Sequence, residues 1–168
     1  MSVHTVLLAL TFASALGCAV VAGVFFAFST FVMRALGRLP AAHGIAAMQS
    51  INVAVITPPF MAALFGTGVV CLILGITTLR SWHVPGAAYV LAGSLLYLVG
   101  TVLVTIVFNV PRNQALAAVD PTSADGAGLW AGYIRSWTAW NHVRTAAALG
   151  AATSLTFALF LSPSGDPV

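Results

Sequence analysis

The side chains able to do chemistry fall in four short stretches. They are Ser29, Thr30 and Arg34; Gln49, Asn52 and Thr57; Asn109, Arg112 and Asn113; and Trp137, Trp140, Asn141 and Arg144. On a helix of 3.6 residues per turn, Tyr133, Trp137, Trp140, Asn141 and Arg144 lie within ~100° of one another. One face then carries three aromatic rings, an amide and a guanidinium. Rings of this kind stack on a flat apolar ligand, and the amide and guanidinium stabilise a developing oxyanion. Two readings fit the stripe: an interfacial aromatic belt with a snorkelling arginine, or the wall of a ligand pocket. Asn141 and Arg144 on the same stripe favour the pocket.

Asn109, Arg112 and Asn113 flank Pro111. Proline lacks a backbone donor and disfavours a straight helix through its position. The stretch is either a helix end with a capping asparagine or a broken helix end that turns these three side chains inward.

Titratable groups are scarce. His142 is the nearest candidate general base, but it sits about 100° around the helix from Asn141. His4 and His83 belong to the other end of the chain's fold, and His43 to a loop. No histidine pair has metal-ligand spacing and no carboxylate stands beside one, so no metal is expected. The acids Asp120, Asp125 and Asp166 all fall outside the apolar runs, which argues against a carboxylate-driven proton pump.

These groups need positioning elements, and the composition says which. Of the 168 residues, 60% are hydrophobic and 5% charged, with no Lys and no Glu. Soluble domains carry about 25% charged residues, so the chain belongs in a membrane. Its basic balance comes from six scattered arginines and does not point to nucleic acid. Four runs reach the ~20 apolar residues a spanning helix requires: roughly 3–33, 58–79, 84–108 and 142–161. The first has no basic start and outruns a signal peptide's apolar region, so it is read as a retained helix. Cys18 and Cys71 fall inside apolar runs and are read as small packing residues.

The expected fold is all-α: one domain over residues 1–168, a four-helix transmembrane bundle. An amphipathic segment around Met48, Gln49 and Asn52 occupies the first loop. The fourth helix is extended, its pattern resuming from about Leu129. In an up-down bundle the four polar stretches meet at one end, and convergent polar groups at membrane depth mark a functional site. Gly86, Gly93 and Gly100, seven apart, and the alanines from Ala146 onward suit close helix packing in lipid. Arg34, Arg38, Arg112 and Arg135 load one end and only Arg80 the other. The expectation is an integral protein of a bacterial inner membrane with both termini outside.

Four segments together resemble the anthrone-oxygenase-like membrane proteins: Phe25–Phe31, Met48–Asn52, Phe108-Asn109-Val110-Pro111-Arg112-Asn113 and Trp137–Thr145. They follow the family's order and spacing along nearly the whole chain. Arg112 stands where many members carry a small or apolar residue. The resemblance implies oxidation of a flat anthrone-like aromatic to a quinone with O2 as co-substrate and no organic cofactor. Arg144, Asn141, Asn109 and His142 would be the catalytic candidates. Trp137, Trp140, Tyr133, Phe28, Gln49, Asn52, Arg112 and Asn113 would hold the substrate. The alternative is a membrane subunit or carrier that binds a quinone, lipid or other small apolar ligand without turnover. Expected partners are a small aromatic ligand and membrane lipids, with self-association left open.

Overall fold

A computed structural model describes residues 2–162. It contains four long helices and one shorter one: α1 (Val3–Leu36), α2 (Ala41–Ala54), α3 (Pro58–Arg80), α4 (Ala87–Ala117) and α5 (Ala124–Leu161). The four long ones are apolar and long enough to cross a membrane. Local chemistry sets their starts. Ser2 accepts the Thr5 amide at 3.1 Å and Ser123 that of Gly126 at 3.0 Å, as N-caps do. Pro58 and Pro59 open α3, where a missing amide proton costs nothing. Gly86, at φ 85°, lets the chain turn into α4.

The helices alternate in direction. α1 packs on α5 and α3, and α4 packs on the same two, closing a four-membered ring. Glycine spacing explains the α4–α5 seam. A Cβ built on Gly86 would meet Ala158, one on Gly93 would meet Leu155, and one on Gly100 would meet Ala147. All three members of the heptad-spaced series therefore admit α5. Cys18 and Cys71 are free and fully buried in the central core, beside Val21 and Tyr97.

Length creates a second layer. At 1.5 Å per residue the 23-residue α3 is ~35 Å long, close to the ~30 Å hydrocarbon core. The 34-residue α1 and 38-residue α5 reach ~51 and ~57 Å by the same rise. Their excess stands at one end and builds a separate core there with α2, from Met33, Leu36, Ile45, Met48, Leu116 and Trp130. Gly44 allows the close approach, with the Trp130 ring lying where a Cβ would be.

The chain's third long helix differs from the sequence reading. α4 does not end or break near Phe108; it continues through Pro111 to Ala117. Just ahead of the proline the helix widens into π turns over Thr105–Asn109. Further π turns occur at Phe28–Val32 in α1 and Ala62–Gly66 in α3. Such turns shift the azimuth of everything after them and concentrate at functional sites.

Candidate functional site

Beneath α2 lies a cavity of about 450 Å³, walled by all five helices, within the size range of small-ligand sites. Its walls are mostly apolar: Phe25 and Phe28 from α1, Met48 from α2, Phe60 and Leu64 from α3 and Trp137 from α5. Its polar lining consists of Arg144, Thr105, Asn113, Gln114, Asn52 and Gln49.

Arg144 is the centre of this lining. It is 4% exposed and, among the described residues, no carboxylate pairs with it. Nη2 donates to Asn141 Oδ1 at 2.7 Å and Nη1 to Thr105 Oγ at 3.2 Å. The guanidinium carbon lies 4.1 Å from the Phe25 ring centroid and 5.1 Å from that of Trp137. These contacts hold the cation through ring quadrupoles and amide dipoles rather than a counter-charge. A guanidinium has five N–H donors. Two are used, Nε finds no partner, and one on each terminal nitrogen remains to meet a ligand.

Asn141, fully buried, fixes the guanidinium. Its Nδ2 donates to Phe25 O and to Ser29 Oγ, both at 2.7 Å. Ser29 in turn bonds Thr145 at 2.9 Å. A carbonyl on one side and an arginine on the other leave Asn141 a single amide orientation. Asn113 is fixed in the same way. Its Oδ1 accepts the Trp137 indole N–H at 2.8 Å and the Tyr133 hydroxyl at 3.0 Å. Indole nitrogen only donates, so Asn113 must turn its NH2 away from the indole. Gln49 is locked the opposite way, its Nε2 donating to Leu116 O and Val119 O at 2.8 and 3.0 Å. That leaves its carbonyl oxygen as the free group. Asn52 Nδ2 is buried without a partner. The cavity therefore offers guanidinium and amide donors together with amide acceptors.

The structure gathers most of the expected residues around this cavity and sends others elsewhere. Trp137, Phe28, Gln49, Asn52, Asn113 and Arg144 line it. Tyr133 stands behind, bonded to Asn113 and stacked on Trp130. Asn109 is buried but donates to Trp137 O at 3.3 Å rather than meeting Arg144. Trp140 does not wall the cavity; it stacks on Phe108 with centroids 3.6 Å apart. Arg112 also faces away. It donates to Phe108 O at 2.6 Å and Ser136 Oγ at 3.1 Å, tying the proline segment to α5. His142 is on the exposed outer face of α5. His142→Ala is accordingly expected to keep activity within a few-fold of the parent. A loss of hundreds-fold in folded protein would place the base there after all.

Thr105 and Phe25 were not among the expected site residues. The signal for Thr105 lay in a four-residue repeat along α4: Thr101, Thr105, Asn109 and Asn113, which shares one helix face. Phe25 opens one of the family-like segments, but its contribution, a ring face and a carbonyl, gave no polar pattern that marked it as a site residue.

A family model described as anthrone oxygenase matches residues 59–154. That stretch contains the Asn109–Asn113 and Trp137–Thr145 segments, whereas Phe25–Phe31 and Met48–Asn52 precede it. Neither a curated protein nor a solved structure matches the chain.

Proposed function

The chain belongs to the anthrone oxygenase family, matched over more than half its length, and from that premise we propose that it oxidises a flat anthrone-like aromatic to a quinone with O2. The observation that carries the proposal is Arg144. It is a buried guanidinium without a counter-charge among the described residues, at the wall of an aromatic cavity. Such a cation favours a ligand that arrives neutral and becomes an oxyanion in place.

The chemistry can run on substrate and oxygen alone. The ring methylene of an anthrone loses a proton to give an enolate, whose charge rests on oxygen beside Arg144. The enolate passes one electron to O2, and the radical pair combines at the same carbon as a peroxide anion. That anion takes up a proton. Loss of the remaining proton on the carbon, with cleavage of the O–O bond, yields the ketone and water. One oxygen atom enters the quinone and the other leaves as water. Phe25, Phe28 and Trp137 supply ring faces for stacking. Asn113 and Asn52 add donors, and Gln49 receives a ligand hydroxyl.

Oxygen uptake by purified protein tests this reading. With an anthrone, one O2 should disappear per quinone formed, well above the protein-free rate. Saturable binding without uptake would instead favour the carrier reading, which the apolar cavity also accommodates.

We also propose that the cavity end lies in the cytoplasm and both termini outside. Arg34, Arg38 and Arg135 are exposed at that end, against Arg80 at the other, as the positive-inside rule requires. Arg144, buried in the bundle, no longer counts, and the half-buried Arg112 stands at the same end as the exposed three. The terminal segment from residue 163 lies outside the described residues, so the α3–α4 turn serves as the probe site. An impermeant thiol reagent added outside should label a cysteine at Ser81 and not one at Ser123. The reverse pattern would overturn the orientation.

A further inference from the structure

We propose that the cavity opens sideways into the bilayer, so that its ligand is admitted from the acyl-chain region rather than from water. The inference rests on the reading of this cavity as the ligand site and adds the route to it. α3 and α4 pack closely along Thr67–Arg80 and Ala87–Leu103. Beyond the π turns at Ala62–Gly66 and Thr105–Asn109 they part, and no substantial packing joins Pro58–Gly66 to Thr105–Ala117. The exposed residues of the cavity lining on these two helices, Phe65 on α3 and Val110 and Gln114 on α4, flank that gap.

The rim is apolar and exposed. Phe65 is 41% and Val110 38% exposed, and Val53 and Ile56, which precede α3 and so stand at headgroup level, are 74% and 69%. Gln114, the polar member, is farther along α4, on the side away from the membrane. Depth follows from α3. Its length nearly equals the hydrocarbon thickness, so Pro58 stands near the boundary. Phe65, seven residues on, is then ~10 Å inside it. Large apolar side chains at the mouth of an otherwise partly polar cavity would be costly against water but are solvated by lipid tails. A planar aromatic dissolved in the membrane would pass between Phe65 and Val110 with its oxygenated edge leading toward Arg144 and Asn113. It would never have to enter the aqueous phase.

Depth is measured with nitroxide labels. In protein carrying Cys18→Ala and Cys71→Ala, single cysteines at Phe65 and at Val110 are spin-labelled in phosphatidylcholine vesicles. Power saturation should show strong relaxation by lipid-soluble O2 and weak relaxation by a water-soluble nickel chelate at Phe65, and at Val110, nearer the boundary, relaxation by O2 that still exceeds that by the chelate. Stronger relaxation by the nickel chelate would place the mouth in water and overturn the proposal. Binding kinetics give a second measure, with both native cysteines in place. Stopped-flow association of an anthraquinone, followed by tryptophan quenching, should slow ~10-fold in Val110→Phe, with dissociation slowed equally, because a narrowed gate alters rates more than affinity. Unchanged rates would overturn the route. Both measurements read access and binding, so an absence of anthrone turnover would remove the catalytic reading without touching this one.

Discussion

Arg144→Ala is expected to lower turnover by about 10²–10³, the usual loss for one preorganised oxyanion donor. The effect follows from charge more than from shape. Arg144 meets the cavity with no counter-charge among the described residues, so its field falls undiminished on whatever oxyanion forms there. Arg144→Lys should restore only part of the rate. An ammonium keeps the charge but lacks the planar fork that bonds Asn141 and Thr105 at once. Stability should not follow activity. A buried arginine costs a few kcal/mol in a membrane interior, and Arg144→Met replaces it with an apolar chain of comparable length. The Met variant leaves Asn141 Oδ1 without its donor, at about 1–3 kcal/mol, which offsets that relief, so it should unfold close to the parent while losing activity. Activity and thermal unfolding measured on the same preparations check this. A parent-like rate in the Ala variant would remove Arg144 from the chemistry.

The second large effect concerns Asn141, a positioning residue that acts through Arg144. Asn141→Leu keeps the volume but strands Arg144 Nη2, while Phe25 O keeps its helix amide and Ser29 Oγ keeps Thr145. A buried polar group left unpaired costs about 1–3 kcal/mol, so the variant should be destabilised by about that much and, with the guanidinium no longer held, lose most activity. Asn141→Asp separates the structural role from the electrostatic one. An ionised carboxylate retains the acceptor for Arg144 and pairs with its charge, so this variant should fold better than Asn141→Leu. That same pairing cancels the field at the cavity, and turnover should fall as far as in Arg144→Ala. A well-folded Asn141→Asp protein with parent-like kcat would show that an unpaired cation is not what the reaction uses.

Asn141, Asn113, Gln49 and Asn52 differ in how much their neighbours decide. Asn141, Asn113 and Gln49 are each held by groups that allow only one orientation, a carbonyl, a guanidinium or an indole N–H. Their free atoms therefore present a fixed pattern before any ligand arrives, and preorganisation of this kind is what lets donors stabilise a transition state without reorganising. Asn52 has no such restraint on its amide nitrogen and is free to serve the ligand.

Membrane character, the number of spans and the end at which polar groups converge were all legible in the sequence. They depend on local quantities: the length of an apolar run, the cost of a polar group in lipid, and the up-down order that successive spans impose. The stripe Tyr133, Trp137, Asn141 and Arg144 was legible for the same reason, because α5 is a regular helix and its azimuths follow from 3.6 residues per turn. Trp140 marks the limit of that logic. It falls at the edge of the stripe, ~55° from its buried centre, and tertiary packing placed it against Phe108 instead of the cavity. The partners of Arg144 were decided only by the fold. Thr105 and Asn109 lie one turn apart on α4, and π turns beside them shift both azimuth and rise, so no fixed period predicts which of the two faces the guanidinium. The path of α4 through Pro111, the separation of α3 from α4 and the apolar mouth between them arise from the same departures from regular geometry. Periodicity records which residues share a face; how two faces meet depends on register between helices distant in sequence, which only the assembled bundle sets.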